Sequence, residues 1–398
     1  MTPETESPWL RRLAFVVVLA TFGLIGIGGL VTSKGVGMAV PDWPTTFGYN
    51  MFWFPIHLWS GGIFYEHTHR LWASAVGLLT AALSGWIWVR ETRGAVRWIG
   101  LAAIIATLGL MGVRTQGMFI ALAVAALGMI GFCFTRVGSD ARAIRWWAAL
   151  AFCAVLVQGV LGGLRVTAMK DEIGIFHGTL AQLFLVLLAA IALSMTKLWR
   201  ELPAWDCAPG IARYRRVLLA LSALVLLQLI LGATMRHQHA GLAIPDFPLA
   251  HGKLWPATDA ASLAAYNSAR ADVHDPNPIT AAHIFIQMAH RLTAVALFAA
   301  AVWLMIRARR DLGRAHTLSR FALGWHVLVF VQACLGVFTV LSNKAADIAT
   351  LHVLFGALTL VSIALAAVCA FRLAANSAVD ATVALPADSR SVRTTDVT

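Results

Sequence analysis

The chain has 398 residues, of which 59% are apolar and 13% charged, and its mean hydropathy is +0.74. Soluble globular domains carry about 25% charged residues and disordered chains are polar throughout, so both classes are excluded. A polytopic helical membrane protein remains. In such a protein the formal charge of +12 reports where basic residues sit relative to the bilayer, and nucleic acid is not required.

A span needs about 20 mostly apolar residues, because the hydrocarbon core is about 30 Å thick and a helix rises about 1.5 Å per residue. Charge-free runs predict spans over 13–33, 71–89, 115–135, 146–164, 173–196, 217–235, 321–343 and 348–371. A short run at 98–113 and a run over 280–306, interrupted by Arg291, bring the total to ten. With the N-terminus inside, this order puts roughly two thirds of the 31 basic residues on the inner side, although the outer loops are longer. The long connections 34–65 and 236–279 then lie outside, and both termini are cytoplasmic. Arg11 and Arg12 before an apolar run resemble a signal peptide, but the run is long and lacks a convincing cleavage site, so it reads as a retained span. No Arg-rich, Ser-rich leader precedes it, which favours a bacterial inner membrane over mitochondrial import. The cysteines Cys133, Cys153, Cys207, Cys334 and Cys369 are scattered and none falls in a segment on the outer side of the membrane, so no structural disulfide is expected.

The chain repeats itself. Gly37-Met-Ala-Val-Pro-Asp-Trp-Pro44 recurs as Gly241-Leu-Ala-Ile-Pro-Asp-Phe-Pro248, His69-Arg70-Leu71 as His290-Arg291-Leu292, and Gln158-Gly-Val-Leu-Gly162 as Gln332-Ala-Cys-Leu-Gly336. His177 recurs as His352, about 20 residues after each Gln. Both copies run in the same direction, a parallel duplication of a four-helix unit. The expected architecture is therefore all-α, with two pseudo-symmetric four-helix transmembrane bundles plus an inserted transmembrane hairpin. The N-terminal bundle covers 11–197, with the hairpin at about 97–136 turning at Arg114. The C-terminal bundle covers 213–372, and 373–398 reads as a disordered cytoplasmic tail.

Four of the thirteen histidines, His69, His177, His290 and His352, occupy repeat-related positions near the outer ends of spans. Each half thus offers two imidazoles at similar depth, an arrangement that suits the two axial faces of a haem iron within a four-helix bundle. Residue types alone also allow zinc or copper. Gly28-Gly29, Gly162-Gly163, Gly232 and Gly336 leave room for a haem plate, or simply let helices pack closely. Arg70 and Arg291, with Arg165 as a third candidate, are placed to pair with haem propionates or to snorkel toward headgroups.

The two halves are not chemically equivalent. Glu66 lies three residues before His69 on the same helical face, whereas the matching position before His290 is Gln287. A membrane carboxylate is costly, so Glu66 reads as a proton acceptor in a reactive half, against a plain location among headgroups. His57, His67, His237, His239, His251, His274, His283, His316 and His326 read as surface or structural residues. Asp42 and Asp246, flanked by prolines, are expected to fix the outer loops as lids. No P-loop, Rossmann fingerprint, HExxH or nucleophile elbow occurs.

These residues together resemble the haem A synthase family of bacteria and mitochondria. The matching features are Glu66, His69-Arg70, His177, His290-Arg291, His352, the Gln/Leu-Gly helices and the Pro-Asp-aromatic-Pro loops, over about 11–372 apart from the hairpin. The resemblance implies that His69 and His177, with Arg70, receive haem O as substrate, and that His290 and His352, with Arg291, hold a haem b cofactor. It implies an oxidoreductase that converts the C8 methyl of haem O to a formyl by successive hydroxylations with oxygen from water, with Glu66 as the catalytic carboxylate. The partners it implies are haem O synthase, an electron acceptor of quinone or other class, membrane lipid and a homo-oligomer, in haem A supply to cytochrome c oxidase. Two features depart from the family pattern: the first outer loop has no cysteine pair, and the hairpin exceeds eight helices. The competing readings are a di-haem b electron-transfer cytochrome acting on quinol and, last, a transporter.

Overall fold

The structure is a computed structural model that describes residues 7–383 apart from 114, 141–142, 205–207 and 271–276. Arg114, Cys207, His274 and the final segment 384–398 thus lie outside the described residues. The first repeat is built from α1 (Pro8–Ser33), α2 (Gly61–Glu91), α5 (Ile144–Thr167) and α6 (Asp171–Ser194), with α3 (Gly94–Met111) and α4 (Gln116–Ser139) forming the inserted hairpin. Two short helices, α7 (Lys197–Glu201) and α8 (Ala208–Arg213), lead to the second repeat. It comprises α9 (Arg215–His237), the short outer-loop helix α10 (Ala260–Ser268), α11 (Ala281–Leu312), α12 (Thr317–Leu341) and α13 (Ala346–Val383). Ten of these helices are long and apolar enough to cross a membrane.

Each repeat gathers its own apolar core. Val17, Leu83, Ile87, Leu188 and Ile191 centre one cluster on α1, α2 and α6, while Leu218, Leu304, Trp325 and Ile363 centre the other on α9, α11, α12 and α13. A third cluster, Ile25, Leu185 and Ala357, joins α1, α6 and α13 along a seam between the repeats. Large apolar side chains such as Leu19, Leu78, Ile99, Val124, Leu219 and Val295 face outward, and α3 buries none of its residues. That distribution suits hydrocarbon, where an exposed Leu costs nothing.

Helix limits move outward from the charge-free runs where polar groups are paired. Helix α2 starts at Gly61, ten residues before the predicted span, because Glu66 and Arg70 satisfy one another at i,i+4 within it. Helix α11 takes in Arg291, as the run over 280–306 predicts, and Thr280 caps it by accepting from the His283 N–H at 3.3 Å. His316, read as a surface or structural residue, is the cap of α12, its Nδ1 accepting from the Leu318 N–H at 3.1 Å. Helix α13 runs on to Val383, so the stretch predicted as a disordered tail from 373 begins as helix.

Candidate functional site

The outer loops are duplicated down to individual hydrogen bonds. Asp42 accepts from the N–H groups of Phe47 at 2.7 Å and Gly48 at 2.9 Å, and Asp246 accepts from those of His251 at 2.7 Å and Gly252 at 2.8 Å. Phe47 and His251 are both left-handed, at φ 49° and 50°, as the tight turn after each Asp requires. Partial burial works to raise the Asp42 pKa, but the Gly48 N–H, the Thr45 hydroxyl and the Phe47 N–H outweigh it and hold the carboxyl below its ordinary value. Asp246 is lowered in the same way by Gly252 and His251.

Arg70 and Arg291 stitch these loops to the helices. Arg70 donates to the carbonyls of Asp42 at 2.7 Å, Thr45 at 3.0 Å and Val40 at 2.6 Å. Arg291 donates to the repeat-equivalent carbonyls of Asp246 at 2.8 Å, Leu249 at 2.9 Å and Ile244 at 3.2 Å. Both guanidiniums are thus turned into the loop backbone, an arrangement that neither propionate pairing nor snorkelling describes.

The repeats part at the residue four before each arginine. One oxygen of Glu66 accepts from the Val40 N–H at 3.0 Å and the other from Arg70 at 2.7 Å, and the side chain is 3% exposed. Gln287 keeps the first contact, accepting from the Ile244 N–H at 2.7 Å. Its amide then donates to the carbonyls of Ile244 at 3.0 Å and Gly241 at 3.2 Å, so no ion pair with Arg291 forms. Within one shared scaffold, and among the described residues, only the first repeat carries a buried carboxylate.

The four repeat-related histidines lie one on each of α2, α6, α11 and α13, partly buried. Each faces a glycine on a neighbouring helix. A Cβ on Gly28 would lie 3.0 Å from the Cε1 of His69, on Gly162 3.2 Å from His177, on Gly232 3.1 Å from His290, and on Gly336 3.0 Å from His352. These glycines seat the imidazoles themselves. Gly29 and Gly163 do other work: Gly29 meets Thr350 across the seam, and Gly163 lies under the Trp43 ring of the outer loop.

Polar neighbours fix the histidine backbones and rings. Gln158 donates to the carbonyl of His177 and Gln332 to that of His352, both at 2.9 Å. The His352 Nδ1 lies 3.1 Å from the Gln332 carbonyl, a bond that orients the ring and leaves Nε2 for a ligand. Gln228 donates to the His290 carbonyl and contacts its Nε2, each at 3.1 Å; Leu24 stands at that position in the first repeat. The Nδ1 atoms of His69, His177 and His290 are buried without a protein partner. Among the described residues no three His, Cys, Asp or Glu gather into a metal cage. Imidazoles in pairs, with unspent nitrogens and bare glycine backbone at the ring edge, fit a metal whose other ligands come from a macrocycle, as in haem.

His67 is structural, as one of its two readings had it, and His237 is placed differently from expectation. His67 is buried between the rings of Trp59 and Phe54 at 4.7 and 5.1 Å, with Nδ1 3.2 Å from the Thr46 hydroxyl, so it braces the loop. His237, assigned by sequence to an outer loop, is the last residue of α9, and its buried ring packs against Gly174 of α6. Nothing in the local pattern separates such a seam residue from a loop residue.

A family model described as cytochrome oxidase assembly protein matches residues 111–364, which takes in His177, His290 and His352 but not Glu66 or His69. A protein named haem A synthase from Caulobacter vibrioides is 28% identical over 237 residues, covering 58% of this chain and 64% of the relative. Another from Rhodopseudomonas palustris is 30% identical over 226 residues, covering 56% of this chain and 54% of the relative. Against these two, the chain spans little more than half of the relative's length. A third, from Mesorhizobium japonicum, is 26% identical over 370 residues, covering 86% of this chain and 85% of the relative. Since the family model spans more than half of its length, this chain belongs to the cytochrome oxidase assembly protein family and, within it, groups with the haem A synthases.

Proposed function

We propose that this chain makes haem A from haem O in a bacterial inner membrane, with both termini cytoplasmic, and so supplies cytochrome c oxidase. The observation that carries the reading is a chemical difference within two matching outer-loop scaffolds: Glu66 paired with Arg70 in one, Gln287 in the other. A protein that only passed electrons between two equivalent haems would have no use for that difference. In this reading His69 and His177 hold haem O, and His290 and His352 hold a resident haem b, which supplies a one-electron redox centre when bound. Turning the C8 methyl into a formyl with one oxygen retained from water releases four electrons and four protons, through two hydroxylations and loss of water. An acceptor of quinone or similar class must take the electrons. Glu66, three residues before His69 on the same face of α2, is positioned to take protons from the reacting side of the substrate. Arg70 and Arg291 hold the loops that keep water from the outer ends of the bundles.

The test is to express the chain in a host that makes haem O but no haem A, and to identify extracted porphyrins by liquid chromatography with mass detection. Haem A or its hydroxymethyl precursor is expected. If only haem B copurifies while haem O is plentiful, the reading is wrong and the di-haem cytochrome takes its place. A second expectation concerns the histidine seats. Gly336→Val drives carbon into the space of the His352 ring and should lower haem retention by about tenfold or more. Haem-to-protein ratio by pyridine haemochrome measures it, and an unchanged ratio would remove His352 from the ligand set.

A further inference from the structure

Two arginines break the duplication, and both lie on the seam between the repeats. Arg165 ends α5 and Arg236 ends α9. Counting from the glycines that seat the histidines, their counterparts in the other repeat are Thr339 and Thr32. Each of those hydroxyls is spent on its own helix, Thr339 donating to the Leu335 carbonyl and Thr32 to that of Gly28. The scaffold therefore does not need a cation at either place.

Arg165 is held but not satisfied. One amino group donates to Asp171 at 3.0 Å, while its Nε is buried with no hydrogen-bond partner. The guanidinium passes beneath the outer loop at Gly37, where a Cβ would stand 2.8 Å from Nη1. It is close enough to act electrostatically on both His69 and His177. Arg236 reaches across the seam to the Gly29 carbonyl and, at 2.5 Å, to the Ser33 hydroxyl of α1, and it too lies within electrostatic range of Arg165. Among the described residues the carboxylate paired with this group is Asp171, which the His237 ring at 4.0 Å and the His239 ring at 3.5 Å also approach. Arg165 thus has one carboxylate, while Arg236 is held by a carbonyl and a hydroxyl alone. A buried cation without an anion is costly, so the seam is built to receive one more negative group.

We propose that Arg165 is the receptor for a carboxylate of the porphyrin held by His69 and His177, with Arg236 supplying the charge excess that leaves Asp171 unable to neutralise the site alone. The inference rests on the reading that the first bundle takes a porphyrin. The ligand chemistry is a propionate side chain; a lipid phosphate on the outer leaflet is the other source of such an anion.

The test titrates the full-length chain, purified from haem-deficient cells and carrying His352→Ala throughout so that only the first bundle offers two imidazoles, with ferric haem B and with its dimethyl ester, read by the low-spin bis-imidazole absorbance. The wild type is expected to prefer the free acid by about tenfold or more, the scale of a charge-assisted pair. Arg165→Gln should weaken the free acid by about tenfold and leave the ester unchanged, and Arg165→Lys should recover part of the preference. Equal losses for acid and ester would mean a merely structural arginine and would overturn the proposal, as would wild-type affinities for both. If affinity for acid and ester is alike but shifts between nanodiscs with and without phosphatidylglycerol, the anion is a lipid phosphate and the porphyrin assignment fails. A wild type that gives no low-spin spectrum with either porphyrin overturns the haem reading itself, an outcome distinct from all the others.

Discussion

Glu66→Gln is expected to stop haem A formation while leaving the fold and the haem content as they are. The second repeat shows why the substitution should be tolerated. Gln287 occupies the equivalent position, keeps the bond to the Ile244 N–H and spends its amide protons on the carbonyls of Ile244 and Gly241. A glutamine at 66 meets the matching Val40 N–H and the carbonyls of Val40 and Gly37, and Arg70 keeps its three loop carbonyls just as Arg291 does. The variant therefore turns the first site into a copy of the second. Stability should fall by less than the roughly 3–5 kcal/mol of a buried pair broken from one side, because Arg70 keeps three loop carbonyls as Arg291 does without a carboxylate. Turnover should fall by about 10²-fold or more, the usual contribution of a positioned acid–base group. The reciprocal Gln287→Glu should form an ion pair with Arg291 and gain no activity, since the second bundle holds the resident cofactor in this reading. Rates of haem A appearance, alongside haem-to-protein ratio, separate the two effects. Wild-type turnover by Glu66→Gln would reduce the carboxylate to a loop anchor.

The sequence was most informative where the physics is local or periodic. Ten spans follow from apolar runs, and ten helices of sufficient length are present among the described residues. The duplication, visible in a few short strings, reappears as matched hydrogen bonds around Asp42 and Asp246, Arg70 and Arg291, and Gln158 and Gln332. What could not be read was where polar side chains find partners across the fold. Glu66 and Arg70 interrupted the apolar run before 71, so α2 looked as if it began ten residues later than it does. The arginines looked like groups for lipid or ligand because their true partners are loop carbonyls, and backbone acceptors carry no signature in a sequence. Gly28 and its three equivalents were legible as missing side chains, but only geometry tells that the space is taken by an imidazole. His237 and Arg236 looked like loop residues because a helix end at a seam reads like a helix end at the surface. In each case the missing information was a contact between elements far apart in the chain.

Removing Arg70 should cost far more than removing Arg291, although the two make the same three loop contacts. Arg70→Met strands the carbonyls of Val40, Asp42 and Thr45 and also leaves the Glu66 carboxylate buried without its countercharge. Breaking a buried pair from one side costs about 3–5 kcal/mol, because the remaining charge stays desolvated. Arg291→Met strands the equivalent carbonyls of Ile244, Asp246 and Leu249, but Gln287 is neutral and keeps every one of its own partners. A loss of about 1–3 kcal/mol is expected there, part of it relieved by water at the more exposed Leu249 carbonyl. The double variant Glu66→Gln with Arg70→Met should recover a large share of the Arg70→Met loss, since it removes the stranded charge and restores the pattern of the second repeat. Thermal unfolding in one detergent, followed by near-ultraviolet circular dichroism, orders the four proteins. Equal destabilisation by Arg70→Met and Arg291→Met, or no recovery in the double variant, would mean that the Glu66–Arg70 pair carries no net charge burden in the folded protein. The first repeat would then differ from the second in shape alone, and the argument that sets Glu66 apart as the reactive group would lose its physical basis.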